Sequence, residues 1–72
     1  MTAPDRDVFA DWLGGRMVAQ RITQAELAGR VGVSQQAVSR WLAASSYPGT
    51  VNAARLARAL GLSADEVLER IE

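Results

Sequence analysis

The feature that most constrains the fold is a pair of helix starts separated by a very short turn. Thr23 is followed three residues later by Glu26, the pattern of a capping box, in which each side chain binds the backbone amide of the other residue. Ser34 supplies the same kind of cap for a second helix. Gly32 tolerates the left-handed backbone in which helices commonly end. Because only Gly32 and Val33 separate the first helix from the cap of the second, the two helices must turn sharply against each other.

Similar helix signals divide the rest of the chain into segments. An apolar residue recurs every four positions in the first segment, at Phe9, Leu13 and Met17, and predicts one buried helical stripe. Thr50 is the expected cap of a fourth helix, and a second capping box at residues 63–66 opens a fifth. The predicted helices run from about Asp5 to Gln20, from Gln24 to Val31, from Gln35 to about Leu42, from Val51 to Leu60, and from Ala64 onward. Since no segment shows the alternation of apolar and polar residues that is typical of a strand, the predicted fold class is all-α with five helices.

Size and composition exclude several classes of protein. The 72 residues suit a single domain spanning 1–72, and the 49% of hydrophobic residues suffice for a packed core. Without cysteine or histidine, the chain lacks thiolate metal ligands and the commonest general base. The acidic residues Asp65, Glu66 and Glu69 stand at helical spacing and are interpreted as a solvated face. We therefore expect no enzyme activity, no metal, no cofactor and no small-molecule substrate.

Membrane attachment is not expected either. No stretch approaches the roughly 18 consecutive apolar residues of a membrane span. No signal peptide is recognisable at the N-terminal end. The sequence therefore predicts a protein of the cytoplasm with no membrane partner.

The charges are unevenly distributed although the chain is neutral overall. Residues 1–11 carry one arginine and three aspartates, a net charge of −2. Residues 12–60 carry six arginines and one glutamate, +5, whereas residues 61–72 carry one arginine and four acidic residues, −3. A basic middle between acidic ends predicts that a polyanion would bind to the middle of the chain. Arg55 and Arg58 are nevertheless expected to be solvated.

Residues 24–42 combine four features that a helix-turn-helix needs at fixed spacing. A small residue, Ala28, stands where the two helices cross, and Gly32 permits the positive backbone angle of the turn. Val38 and Trp41, three residues apart, are expected to anchor the inner side of the second helix in the core. The outer side carries four hydrogen-bonding side chains, Gln35, Gln36, Ser39 and Arg40.

This segment resembles the helix-turn-helix of the Cro/CI-type, or XRE-like, family of lambdoid phage repressors. The resemblance extends from Thr23 to about Glu66. It rests on Thr-Gln-x-Glu-Leu-Ala, Gly-Val-Ser, Val-Ser-Arg, Pro48 and Ala57-x-x-Leu60-Gly61. It implies a five-helix, lambda-repressor-like DNA-binding domain with its motif at 24–42 and double-stranded DNA as the partner.

The resemblance also implies which side chains read bases. In this family the second helix of the motif enters the major groove. The readers are then the four outer residues, Gln35, Gln36, Ser39 and Arg40. Glutamine pairs bidentately with adenine, and arginine with guanine. For Ser39 the alternative is that a small side chain only provides clearance.

Phosphate contacts are implied at the edges of the motif. Gln24 holds the family's phosphate-clamping position, at a helix start whose free amides favour an anion. Residues after the reading helix usually contact further phosphates, which points to Ser46, Tyr47 and Thr50. For Tyr47 a hydrophobic cover over the fourth helix is an equal alternative. Because this loop is uncharged here, we expect a single subunit to bind DNA weakly.

Two departures from the family pattern affect packing. Ala44 stands where the family has a glycine, so the loop need not follow the family's path. Members also often pair an arginine in the first helix with a glutamate just past the reading helix, and Met17 and Leu42 occupy those positions here. We predict that Met17 and Leu42 touch directly, because replacing both members of a buried ion pair with apolar groups is often neutral or stabilising. The phosphate contact of the missing arginine would then pass to Arg16.

Two functions from different classes fit these features. The first is a transcriptional repressor in the bacterial cytoplasm or nucleoid that binds a pseudo-palindromic operator as a homodimer. Leu68 and Ile71 are its expected dimer contacts, and the chain is either a complete repressor or the N-terminal domain of a longer one. The second is a protein-interaction module of the same fold, such as an antitoxin or adaptor, with weak or no DNA binding. The neutral net charge leaves this alternative open.

Overall fold

Five α-helices follow one another along the chain. The computed structural model describes the backbone of residues 5–71 and the side chains of residues 6–70. The helices are α1 Asp5–Gln20, α2 Gln24–Val31, α3 Gln35–Leu42, α4 Thr50–Leu60 and α5 Ala64–Ile71. No strand occurs within the described backbone. The five-helix, all-α prediction is confirmed, and α1, α2 and α3 have the predicted bounds.

The predicted N-terminal caps of three helices are formed. At α2 the Thr23 hydroxyl accepts from the Glu26 amide at 3.1 Å, and the Thr23 amide donates to the Glu26 carboxylate at 2.8 Å. At α5 the same two bonds join Ser63 and Glu66, both at 3.3 Å. At α3 the Ser34 hydroxyl accepts from the amide three residues further on, at 3.2 Å. Each cap satisfies amides that a helix start would otherwise leave without an intrahelical acceptor.

The capping box of α2 makes stability depend on pH. Hydrogen bonds from the Thr23 backbone amide, and then from its hydroxyl, hold the pKa of Glu26 below its ordinary value of 4.5. Since this pKa is lower in the folded than in the unfolded chain, the ionised carboxylate stabilises the fold above that value. The contribution disappears as the pH falls through the folded-state pKa.

We expect Glu26→Gln to flatten this part of the pH dependence of the urea unfolding midpoint. If the urea unfolding midpoint of Glu26→Gln falls with acidic pH as steeply as that of the wild type, the capping box is not the source of this pH dependence.

The start of α4 differs from the prediction that Thr50 is its cap. The cap is Gly49, in an extended conformation and without a side-chain hydrogen bond, and Thr50 is already the first helical residue. The Gly49 carbonyl accepts from the Ala53 amide at 2.7 Å, which closes the first turn. The prediction was therefore wrong by one residue, because the backbone after Pro48 is already placed to start the helix without a hydroxyl.

The first four helices end in the same way, on a residue with a left-handed backbone. These residues are Arg21, Gly32, Ala44 and Gly61, with φ of 55°, 88°, 61° and 74°. After each of them, the next amide donates back to a carbonyl five residues earlier, as in a Schellman motif. For α3 this bond joins the Ser45 amide to the Arg40 carbonyl at 2.9 Å. The loop after α3 thus takes the left-handed turn that suits glycine although Ala44 stands there.

Ala44 is consequently a strained position that glycine would relieve. An L-residue with a side chain pays a steric penalty in the left-handed region that glycine avoids. We expect Ala44→Gly to raise the free energy of unfolding by about 1 kcal/mol. The matched control is Ala43→Gly, one residue earlier, where φ is −86° and glycine only adds freedom to the unfolded chain. Urea unfolding that shows no gain for Ala44→Gly over Ala43→Gly would argue against strain.

The core draws on every helix. The largest fully buried side chains are Phe9 and Leu13 of α1, Leu27 of α2, Val38 of α3, Leu56 of α4 and Val67 of α5. α1 packs on α3 and α5, and α4 packs on α2 and α5. The pair α2 and α3 is thereby held from both sides. Among the described side chains, the buried ones are apolar. The packing fixes the orientation of the helix pair relative to the rest of the domain.

Candidate nucleic-acid interface

The turn between α2 and α3 has the geometry that the sequence predicts. Gly32 lies in the left-handed region, with φ 88° and ψ 35°. The Ala28 carbonyl accepts from the Gly32 amide at 2.8 Å and from the Val33 amide at 3.0 Å. Ala28 itself is buried, 4% exposed, so a small side chain does occupy the crossing. The two helices are locked at this point by the backbone and by close packing together.

α3 has one buried face and one exposed face. Val38 and Trp41 are buried, at 0% and 3% exposure, as predicted. The four predicted base readers are all exposed, namely Gln35, Gln36, Ser39 and Arg40. The first turn of α3 carries no acidic residue. A rigid helix therefore presents a polar, unacidic edge to solvent, which is what entry into a major groove requires.

Gln24 lines a shallow groove. It is half-buried at the first position of α2. The groove has a volume of about 420 Å³ and is lined by Gly14, Met17, Val18, Arg21, Ile22, Thr23, Gln24 and Leu42. Arg21 is thus a cation beside the predicted phosphate position, and it is not among the phosphate contacts predicted from the sequence. The position of Arg21 three residues before Gln24, in the short link to α2, was the sequence signal that could have identified it as a candidate phosphate contact.

The same groove bears on the predicted contact between Met17 and Leu42. Met17 is buried and Leu42 is half-buried against the core. A Cβ added to Gly14 would lie 3.9 Å from Cδ2 of Leu42, so α1 approaches the end of α3 closely. Met17 and Leu42 therefore line the same groove, as a direct contact between them requires. A direct contact between Met17 and Leu42 stays a prediction.

Arg16, the predicted helix-1 phosphate ligand, is directed toward α5. Its Nη2 lies 3.9 Å from Oε2 of Glu66, and both side chains are partly exposed. An exposed pair of this kind contributes about 0–1 kcal/mol. DNA could therefore release Arg16 at small cost, and its phosphate contact remains a prediction.

The loop before α4 divides into a packed part and an exposed part. The ring of Tyr47 packs edge-on against Phe9, with centroids 5.9 Å apart, and the guanidinium of Arg6 lies 5.9 Å from the Tyr47 ring centroid. This placement favours the hydrophobic cover for Tyr47, with its ring against α1. Ser46 is half-buried and Thr50 is exposed. Their phosphate contacts remain predictions.

A sharply turned helix pair with an exposed polar second helix, inside five packed helices, defines a helix-turn-helix domain. A family model described as helix-turn-helix matches residues 16–67, which is most of the chain. The chain belongs to the Cro/CI-type, or XRE-like, helix-turn-helix family. The match begins inside α1, seven residues before Thr23, where the resemblance seen in the sequence begins. No curated protein and no solved structure matches the chain significantly.

Membership settles the general class of activity. The family consists of DNA-binding regulatory domains, which are not typically enzymes. The protein is therefore a DNA-binding transcription regulator with double-stranded DNA as its partner. Within the described residues, no helix is both long and apolar enough to cross a membrane.

Proposed function

We propose that this regulator is a repressor that binds a pseudo-palindromic operator as a homodimer and reads it with α3. The observation that carries the proposal is the exposed edge of α3, formed by Gln35, Gln36, Ser39 and Arg40 above the buried anchor Trp41. An anchored helix holds its outer side chains in fixed register, so each can be matched to one base pair. The domain acts as one unit, 1–72, with its motif at 24–42, in the bacterial cytoplasm or nucleoid.

Phosphate contacts position α3 in the groove. Gln24 is the first of these, because it begins α2, where backbone amides and the helix dipole attract an anion. Arg21 adds a positive charge to the same groove. The remaining proposed contacts are Arg16, Ser46 and Thr50, whereas the packing of Tyr47 on Phe9 favours a structural role for that residue. Such contacts fix register but carry no sequence information.

A dimer is proposed through α5. Leu68 is half-buried in the single chain, so a partner could cover the rest of it. The side chain of Ile71, the other predicted contact, lies outside the described residues. The acidic residues Asp65, Glu66 and Glu69 place negative charge on α5, which suits a position away from DNA. Two linked subunits would raise the affinity through effective concentration.

Selection from random duplexes at low salt, followed by sequencing, tests the proposal. We expect an enriched site with two half-sites related by a dyad and centred about one helical turn, ~10 base pairs, apart. Enrichment of a single half-site would contradict dimeric binding. The absence of any enriched sequence would reject a sequence-specific repressor.

One observation favours the alternative of a protein-interaction module. The groove beside Gln24 is lined mainly by apolar residues, and the neighbouring Val18 is 78% exposed. Exposed apolar surface is typical of sites that bind another protein. If selection enriches no sequence, Val18→Asp should then abolish binding of a protein partner captured by the wild-type chain.

A further inference from the structure

Three arginines outside the predicted DNA contacts surround one pocket between α2 and α4. The pocket has a volume of about 240 Å³ and is lined by Arg30, Arg55 and Arg58, with Val31 and Ala59. Arg30 lies in the last turn of α2 and Arg58 in the last turn of α4. Arg55 and Arg58 are exposed, in agreement with the expectation that they are solvated, and folding brings them together with Arg30.

The described side chains neutralise the positive charge of this pocket only in part. The ion pairs found among residues 6–70 involve Arg16 and Arg70 and none of the three pocket arginines. Glu26 lies one turn before Arg30 and offsets part of its charge, but the Glu26 carboxylate accepts from the Thr23 amide at 2.8 Å rather than forming an ion pair with Arg30. The helix dipoles favour a cation at each C-terminal turn, which accounts for Arg30 and Arg58. Arg55 lies a turn earlier in α4 and has no such explanation.

The pocket lies beside the turn that precedes the reading helix. A Cβ added to Gly32 would lie 3.9 Å from Nη1 of Arg55, so this guanidinium rests against the turn of the motif. Ser34 caps α3 two residues after Gly32, and Gln35 begins α3 immediately afterwards. DNA that admits the start of α3 into its major groove therefore brings one of the bordering strands toward the pocket. Guanidinium groups suit phosphate oxygens because they offer paired donors in a plane.

We propose that Arg30, Arg55 and Arg58 clamp a phosphate of the DNA backbone flanking the half-site. This inference rests on the proposed function and adds a contact set to it. It also compensates for the uncharged loop after α3, since the charges missing there are supplied beside the turn before α3. An acidic protein segment is the competing occupant, but the closeness of Arg55 to the turn before α3 favours DNA.

The test compares DNA affinity across salt concentrations for the wild type and for Arg55→Gln/Arg58→Gln. Fluorescence anisotropy is measured with the selected duplex and with a random duplex. We expect the double variant to bind both duplexes at least about tenfold more weakly at low salt. The slope of log affinity against log salt should become shallower by about 0.9 per lost phosphate contact, with the selected sequence unchanged. Arg55→Lys/Arg58→Lys, which restores the charge, should recover most of the slope.

A matched control removes the same charge elsewhere. Arg6→Gln/Arg70→Gln changes two arginines that lie over aromatic rings of Tyr47 and Trp12. Equal losses in this control, or a lysine variant that fails to recover the slope, would overturn the clamp. The clamp would also be overturned if the wild type selects a site and Arg55→Gln/Arg58→Gln keeps the wild-type slope of log affinity against log salt. If that variant loses only binding to polyglutamate, the pocket belongs to an acidic protein segment. A wild type that binds no duplex would reject the proposed function and the clamp together.

Discussion

Replacing Trp41 with alanine is expected to lower the free energy of unfolding by about 3–5 kcal/mol. The indole is 3% exposed and packs on the inner side of α3, in a core that all five helices share. Truncation removes apolar burial and leaves a cavity that rigid neighbours cannot fully close. A domain of this size has a total stability of roughly 4–11 kcal/mol, so the loss is a large fraction of it.

Urea unfolding followed by far-ultraviolet circular dichroism measures this loss. The midpoint should fall while the dependence on urea stays the same, as expected for a change in stability alone. The matched control is Arg40→Ala, the neighbouring residue on the exposed side of α3, which should change stability by no more than about 0.5 kcal/mol. If Trp41→Ala is as stable as Arg40→Ala, Trp41 does not anchor the reading helix.

The helix bounds could be predicted because the signals that set them are local. Thr23 with Glu26, and Ser63 with Glu66, form bonds between residues three apart, so the sequence alone contains both partners. Gly32 needs no partner, because its backbone freedom is intrinsic. Thr50 shows the limit of this reasoning. A hydroxyl at a helix start is only one way to begin a helix, and the backbone of Gly49 provided another.

The surroundings of the site could not be predicted, because they depend on contacts between distant residues. Periodicity shows that Arg55 lies on an exposed side of its helix, but not that Arg30, twenty-five positions earlier in the sequence, lines the same pocket. The pairing of Arg16 with Glu66 joins α1 to α5 and is equally invisible in the sequence. Ala44, which stands where the family has a glycine, is a different case. The sequence shows that a glycine is missing, but only the fold shows that the strained turn is kept.

Gln36→Ala should cost about 1–3 kcal/mol of binding free energy on the selected operator, or roughly 5- to 150-fold in affinity. A glutamine amide bonds to both hydrogen-bonding atoms of an adenine edge, and alanine replaces neither bond. The preference should therefore relax at one base-pair position and persist at the others. Since Gln36 is exposed, the variant should unfold at nearly the wild-type urea concentration, which separates this effect from that of Trp41→Ala.

Gln24→Ala provides the contrast that gives the Gln36 result its meaning. A residue that contacts only the backbone should weaken binding to operator and random duplex by the same factor, whereas Gln36→Ala should leave random binding almost unchanged. The ratio of the two affinities, measured at one salt concentration, is thus the decisive quantity. It falls for a base reader and stays constant for a phosphate ligand. An unchanged ratio and an unchanged selected sequence for Gln36→Ala would mean that this edge of α3 does not read the DNA.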